Sequence, residues 1–435
     1  MSSTKRTIGQ GLMLLICINS MSGAGVFVNA KPIALLAGKL GFLSYLIAML
    51  IMLPVVISIA EMTQANPVAG GLYCHTKNFL GKTFGFLGAW SYFLAKSVSA
   101  GVLTQAFTTP LAIVLEQYFP VKKIFLDIFV LCSIIGSNII GVRLDGKIQW
   151  VFTTIKLIPY SAIILSGVFL SLKGQFYNFE SIGFGQNFYA SLPIAIFALS
   201  GFEIVSTMAH MIKDPEKTIR KIAIGSFLFV SVLYSVFQIC VQILSGSALS
   251  THEVPFLLIT QNLSLLIGRY AGIIHDLIKL ATVSAAFSLL TNNCWNLYAI
   301  AKDEIIPFSK QLTKINGNNV PWVCLLVEGF LSLLVMLITT NQIALQSMSV
   351  FSTCIGYALN TVACFVFLSR SNASISKKAV CSMAILSCLA IVALSALNIA
   401  RSGLSVSFIG IFISGILLIF IKSKPDKLNS IDAKV

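Results

Sequence analysis

Residues 20–27 read SMSGAGVF, and this stretch lies inside an apolar segment that covers roughly residues 9–37. Glycine in a helix interior costs about 1 kcal/mol relative to alanine. In lipid, an unwound turn also leaves backbone N–H and C=O groups without a hydrogen-bond partner. The two glycines and two serines therefore indicate either a close contact between two helices or a helix that breaks at this point.

The composition is that of an integral membrane protein. Of 435 residues, 57% are hydrophobic and only 10% are charged, whereas soluble domains have about 25% charged residues. The net charge of +15 comes from lysines and arginines in short loops between apolar segments, where basic residues orient a chain in the bilayer. We therefore expect membrane lipid around the chain and no nucleic-acid partner.

Hydropathy divides the chain into twelve segments that are long enough to cross a bilayer, which takes about 20 apolar residues each. Basic residues concentrate in alternate loops, which predicts that both termini are cytoplasmic in a multi-pass protein of the plasma or inner membrane. The chain then has three parts, namely segments one to five (1–175), six to ten (176–370), and the last two with the tail (371–435). The predicted segments are 9–37, 40–63, 84–112, 124–142, 148–172, 188–211, 222–246, 272–299, 320–339, 343–369, 378–398 and 402–421.

The sequence carries no recognisable catalytic motif. It contains no GxxxxGK[ST] nucleotide loop, no HExxH zinc motif and no GxSxG elbow. The ten cysteines form no CxxC pair and mostly lie in apolar segments, where cysteine acts as a small hydrophobic residue. We therefore predict a protein that is not an enzyme and that needs no cofactor or metal ion.

A second segment is interrupted in a similar way, at FALSGFEIVS (197–206). Broken segments in corresponding positions of two halves are typical of transporters built from inverted repeats; the alternative is a pair of close helix contacts of the small-xxx-small kind. If both helices break, the N–H groups around Ala24–Phe27 suit a carboxylate. The carbonyls around Phe197–Ser200 suit an ammonium group, so the two breaks together suit a zwitterion.

Four short motifs then make the pattern specific. The motifs are GAGVF (23–27), PVAGGLY (67–73), GFE with KDPEK (201–203 and 213–217) and YAIAKDEIIP (298–307). They resemble the amino acid–polyamine–organocation (APC) superfamily, and the length and twelve-segment plan are similar to its branch of basic amino acid and polyamine antiporters. The resemblance extends over about residues 8–370 and implies an all-α fold like that of the leucine transporter, a 5+5 inverted repeat with broken first and sixth helices.

The resemblance also implies which residues form the site. Substrate would contact the two breaks, one face of the third segment, and one residue each in the eighth and tenth segments. The implied substrate-binding residues are Met21, Ser22, Gly23, Ala24, Gly25, Phe27, Ala95, Lys96, Ala100, Phe197, Ala198, Ser200, Gly201, Leu289 and Ser349. The implied coupling or gating residues are Glu203, Lys156 and Tyr357.

Within the implied substrate site, two positions depart from the family's usual pattern. Ala24 stands where the family usually has a serine between the two glycines, so only backbone donors remain for the carboxylate. Leu289 stands where the antiporters have a tryptophan, which weakens an aromatic clamp on a guanidinium group. Phe197 keeps the aromatic position that closes over the substrate in the antiporters.

Charged residues inside predicted membrane segments are functional candidates by default. The resemblance places Glu203 at a glutamate that couples pH to conformation, although it could instead cap the second half-helix. It places Lys156 where sodium-coupled relatives hold sodium, so sodium coupling is not expected; the alternative is a lysine that extends to the membrane surface. Glu328 has no evident partner and is given no role.

Lys96 bears on the charge of the substrate. At about 4 Å and an effective dielectric constant near 20, two like charges cost roughly 4 kcal/mol. A lysine that faces the pocket would therefore favour a neutral or acidic substrate, unless it is deprotonated, paired or turned away.

The sequence thus predicts a secondary active amino acid transporter, a permease or antiporter that works by alternating access. It would be proton-linked or an exchanger, and not sodium-coupled. The alternatives are an arginine, ornithine or polyamine exchanger and a non-transporting nutrient sensor in the membrane. A homodimer is a further option, because the antiporters resembled are often dimers.

Overall fold

A computed structural model describes residues 8–68, 70–119, 122–140, 146–174, 187–252 and 255–422. These residues are almost entirely helical and contain no β-strand, only an isolated bridge between Ile8 and Ile212. The α-helices are α1 (Gln10–Met21), α2 (Gly25–Ala37), α3 (Gly41–Ala65), α4 (Gly71–Leu80), α5 (Lys82–Glu116), α6 (Lys123–Ile139), α7 (Gly146–Leu172), α8 (Ser191–Leu199), α9 (Ile204–Thr207), α10 (Pro215–Ser245), α11 (Ala248–Thr251), α12 (Pro255–Ile267), α13 (Tyr270–Lys302), α14 (Ser309–Leu312), α15 (Trp322–Ile338), α16 (Gln342–Arg370), α17 (Ile375–Arg401) and α18 (Ser405–Lys422).

Each of the twelve predicted segments coincides with a helix or with two helices on either side of a break. Seven helical stretches in the described part are long and apolar enough to cross a membrane. The one over Gly25–Ala65 contains α2, which is the second half of the first predicted segment, and the whole of the second predicted segment. Helix α1 is shorter because the first break ends it at Met21. The 17 residues of α15 extend about 25 Å, against about 30 Å of hydrocarbon.

The all-helical fold is therefore confirmed, whereas the count of twelve crossings, the inverted repeat and the three-part division stay predictions. The orientation of the termini stays a prediction as well, and residues 1–7 and 423–435 lie outside the described part.

Helix α5 is central to the packing. Its 35 residues contact α13, α15 and α16 along their length. Helix α8 packs against α2, α3 and α16, and α3 packs against α10 and α17. Both interrupted helices are therefore surrounded by other helices, which is where a membrane protein tolerates irregular backbone.

Candidate functional site

The first break separates α1 from α2 at Ser22, Gly23 and Ala24. The last bond of α1 is made by the N–H of Ser22, and the first bond of α2 runs from the N–H of Val28 to the carbonyl of Ala24 at 3.1 Å. The N–H groups between these two points come before the first i→i−4 bond of α2, so they form the positive end of a new helix. The helix breaks where the sequence predicted it.

The second break follows α8. Ser200 is extended (ψ 148°), and Gly201 has a φ of +124°, a conformation that favours glycine. From the described residues, no hydrogen bond reaches the carbonyls of Phe197–Ser200. This end of α8 therefore presents unpaired acceptors at the break.

The two breaks touch each other. A Cβ atom on Gly201 would lie 2.9 Å from the carbonyl oxygen of Ser20 in the last turn of α1. A Cβ atom on Gly25 would lie 3.1 Å from the Cα of Ala198 in α8. Neither position has room for a side chain without movement of the backbone, so the glycines serve both the break and the close contact between helices.

A buried ion pair lies beside the second break. Lys96 Nζ is 2.9 Å from Glu203 Oε1, which also accepts a hydrogen bond from the Tyr92 hydroxyl at 2.8 Å. Glu203 Oε2 accepts from the N–H of Gly201 at 2.7 Å. Glu203 is 3% exposed and Lys96 is 9% exposed, and such a buried pair is tolerable because the charges compensate each other and further hydrogen bonds satisfy the carboxylate.

This pair changes the interpretation of Lys96. The side chain points toward the break, but its charge is matched by Glu203. The repulsion expected between Lys96 and a cationic substrate is therefore largely cancelled. Sequence reasoning considered a paired lysine but did not identify Glu203 as the partner.

Tyr357 of α16 lies on the other side of Glu203. Its ring packs 5.4 Å from the ring of Phe202, centroid to centroid. The hydroxyl is buried and interacts with the Glu203 carboxylate. The structure thus brings Tyr357 to the second break, and its gating role stays a prediction.

Two tyrosines that the sequence did not single out hold the first break in place. Tyr160 of α7 donates to the carbonyl of Gly23 at 2.8 Å, and Tyr234 of α10 donates to the carbonyl of Met21 at 2.7 Å. Their rings are stacked, 6.3 Å apart, and Phe27 packs 4.6 Å from Tyr160. The available signal was chemical, because a buried tyrosine hydroxyl usually finds a hydrogen-bond partner.

The remaining predicted substrate-binding residues divide between α5, α8, α13 and α16. The Ser349 and Ser99 hydroxyls lie 2.8 Å apart and connect α16 to α5. Phe197 is half-buried and contacts both large hydrophobic clusters of the protein. Ala95 and Ala100 are fully buried, and Leu289 is half-buried.

Lys156 is buried in α7, with 7% of its surface exposed. No carboxylate of the described residues lies within 4.0 Å of its ammonium. The burial argues against a side chain that extends to the membrane surface. Its proposed relation to a sodium site stays a prediction.

Three of the family-like motifs meet near the second break. Tyr73 and Lys77 of α4 both bond the carboxylate of Asp303, which follows α13. Burial raises the pKa of Asp303, but these two hydrogen bonds outweigh it, so the pKa lies below its usual value. A Cβ atom on Gly71 would lie 3.1 Å from the backbone of Ser206, just after the break, which shows why a glycine is needed there.

An all-helical membrane protein in which two broken helices meet at a buried polar site is of the class of secondary transporters. Residues 13–426 match the sequence model of the family described as "Amino acid permease", and the chain belongs to that family. It is therefore a multi-pass membrane transporter of amino acids and not an enzyme. The resemblance to the APC superfamily is confirmed at this level.

Three relatives of this chain come from Bacillus subtilis (strain 168). The chain is 26% identical to the serine/threonine exchanger SteT over 386 residues, covering 85% of this chain and 84% of the relative. It is 26% identical to the amino-acid permease AapA over 379 residues, covering 81% and 77%. It is also 26% identical to the branched-chain amino acid permease BcaP over 362 residues, covering 79% and 77%.

Proposed function

We propose that this permease is an exchanger of neutral amino acids that works by alternating access around the two breaks. The observation that carries the proposal is the direct contact between the breaks, where Gly201 lies against the end of α1 and Gly25 against α8. The N–H groups at the start of α2 and the unpaired carbonyls at the end of α8 then lie side by side. The carboxylate of an amino acid would bind the first set and its ammonium group the second.

The charge balance of the site supports a neutral substrate. Glu203 is the carboxylate beside the breaks in the described residues, and Lys96 already neutralises it. A guanidinium or second ammonium group would have to displace Lys96 to gain a countercharge. The printed name of SteT, a serine/threonine exchanger, supports both exchange and a neutral substrate.

The coupling residues follow from the same arrangement. We assign the Lys96–Glu203 pair and Tyr357 to the conformational change, because they connect α5 and α16 to the second break. We assign to Lys156 the fixed positive charge that makes bound sodium unnecessary. Exchange or proton linkage, rather than sodium coupling, would then drive transport in the cell membrane, with both termini in the cytoplasm.

Counterflow in liposomes tests the proposal. Purified protein is reconstituted with one unlabelled amino acid inside, and uptake of labelled L-serine, L-leucine or L-arginine is followed in sodium and in choline buffer. Protein-free liposomes and liposomes loaded with buffer alone are the controls. Exchange of neutral amino acids that is equal in sodium and choline is expected.

Each other outcome points elsewhere. Exchange of arginine, ornithine or putrescine alone would assign the protein to the basic amino acid and polyamine antiporters, the runner-up. A sodium requirement would refute the role given to Lys156. Binding of an amino acid without any exchange would favour the non-transporting nutrient sensor.

A further inference from the structure

Glu328 is a second buried acid, separate from the Lys96–Glu203 pair. It lies on α15, is 0% exposed, and faces α13 and α5. Its Oε1 accepts a hydrogen bond from the Asn293 amide at 2.8 Å, and the same amide donates to the carbonyl of Phe93 at 3.0 Å. The neutral side-chain amide of Asn293 in α13 therefore connects Glu328 in α15 to Phe93 in α5.

The other carboxyl oxygen, Oε2, has no hydrogen-bond partner in the described part of the chain. No lysine, arginine or histidine nitrogen there lies within 4.0 Å of it. The Cys294 and Cys324 thiols lie close enough to interact electrostatically with Glu328.

The buried charged groups on the neighbouring helices are paired elsewhere. On α5, Tyr92 and Lys96 bond Glu203. On α6, which also packs on α15, Asp127 is paired with Lys123. On α13, Lys279 is paired with Asp276. Among the described residues, Glu328 therefore has no countercharge within 4.0 Å.

The two buried acids thus differ in their surroundings. Glu203 has a cation and two further donors, which stabilise a carboxylate. Glu328 has one neutral donor, and an ionised carboxylate in such a place would carry the full cost of burial without compensation. The neutral acid, with its proton on Oε2, fits the surroundings of Glu328 in this conformation.

A chain of amides leads from Glu328 toward the surface of the helix bundle. The amide nitrogen of Asn296 donates to the side-chain oxygen of Asn293 at 2.9 Å, and Asn293 donates to Glu328. Asn296 is half-buried rather than enclosed. This chain marks the side from which water could reach the carboxyl when α13 and α15 separate.

We propose that Glu328 is a proton-binding site of the transporter, loaded in this conformation and emptied when α5, α13 and α15 rearrange. The proton would leave Oε2 for water on the Asn296 side, and the carboxylate would remain until the site closes. Helix α5 connects this event to the first site, since Phe93 and Lys96 lie one turn apart on it. The role of Glu328 in transport rests on the proposed function, alternating access, whereas the protonation of Glu328 in this conformation does not depend on it.

Infrared spectroscopy of the substrate-free protein tests the bound proton. The Glu328→Gln variant keeps the shape of the neutral acid and an acceptor for Asn293. The C=O band of a protonated carboxyl is expected in the wild type at neutral pH and is expected to be missing in Glu328→Gln. Glu116→Gln, which makes the same change at an exposed acid at the end of α5, should keep the band.

Transport is tested separately, by uptake of labelled L-serine between acidic and alkaline pH. One linked proton permits up to about a tenfold change in uptake per pH unit. We expect Glu328→Gln to flatten this profile to within about twofold, while Glu116→Gln behaves as the wild type. Should Glu328→Gln not fold, Glu328→Asp keeps a carboxyl whose band is expected at a shifted frequency.

The outcomes are distinct. A wild-type spectrum from which Glu328→Gln removes nothing would overturn the bound proton. A band that is lost in Glu328→Gln, together with an unchanged pH profile of uptake, would overturn the role of that proton in transport. A band assigned to Glu328 in a wild type that exchanges no amino acid would leave the proton site standing and refute the proposed function instead.

Discussion

Replacement of Lys96 by methionine is the most informative perturbation of the site. The change keeps a long side chain in α5 and removes only the cation that is 2.9 Å from Glu203 Oε1. Glu203 would keep the Tyr92 hydroxyl and the Gly201 N–H as donors. A carboxylate that is 3% exposed would then have no countercharge.

The size of the effect follows from the geometry. At 2.9 Å and an effective dielectric constant near 20, the gross attraction is about 6 kcal/mol. Removal of one partner from a buried pair typically costs about 3–5 kcal/mol of unfolding free energy. We expect Lys96→Met to be destabilised by an amount in this range.

A double-mutant cycle isolates the pair. Denaturant unfolding of the purified protein in detergent is measured for the wild type, Lys96→Met, Glu203→Gln and the double variant. The double variant should be more stable than the sum of the single effects predicts, with an interaction energy of about 2–3 kcal/mol. Lys279→Met is the matched control, because it breaks an exposed pair with Asp276 that is worth less than about 1 kcal/mol.

Single effects that add to within about 0.5 kcal/mol would refute this reasoning, since the two charges would then not interact in the folded protein. The same variant serves in counterflow. Lys96→Met should improve competition by arginine relative to neutral amino acids, because Glu203 is left as an unpaired negative charge beside the breaks.

Three further changes test other parts of the structure. Gly201→Ala forces a side chain onto a φ of +124°, so it should cost about 1–3 kcal/mol of stability and most of the uptake. Gly225→Ala is the control, because open space surrounds Gly225, and this variant should unfold at the wild-type temperature or higher. Equal melting temperatures of the two variants would contradict the close contact at Gly201. Tyr160→Phe removes the hydroxyl that donates to the carbonyl of Gly23. It should lower the unfolding free energy by about 1 kcal/mol and weaken uptake by the folded protein. Uptake equal to that of the wild type would show that this hydrogen bond does not hold the first break in place. The pKa of Asp303 is lowered, so its contribution to stability is complete above the ordinary aspartate pKa and is lost as the pH falls through the lowered pKa. Asp303→Asn should therefore melt at a lower temperature than the wild type at neutral pH, and its melting temperature should lack this dependence on acid pH. Thermal unfolding measured across pH checks both expectations.

The position of both breaks was predictable because the signal is local. Serine and glycine clusters within apolar segments weaken a helix wherever they lie, and the breaks at Ser22–Ala24 and Ser200–Glu203 follow them closely. Most bounds of the long helices lie within a few residues of the predicted segments because hydropathy and length are local signals as well, whereas the start of α10 at Pro215 and the whole of α4 were not predicted.

The contacts of the site were not predictable from local signals. Lys96 and Glu203 are 107 residues apart in the chain, and their meeting depends on how α5 is rotated about its own axis. The rotation of other helices about their axes decides in the same way that Tyr160 and Tyr234 bond the first break and that Glu328 is fully buried. A sequence shows which residues could pair, but only the packing of whole helices decides which of them do.

The tyrosine support behind the first break has a consequence for which parts of the site a mutation can change. Tyr160 and Tyr234 hold backbone carbonyls, and the polar groups that the breaks release are also backbone atoms, which no substitution of a neighbouring side chain removes. Mutation can therefore alter the walls that α5 and α16 contribute while the groups proposed to bind the part common to all amino acids persist.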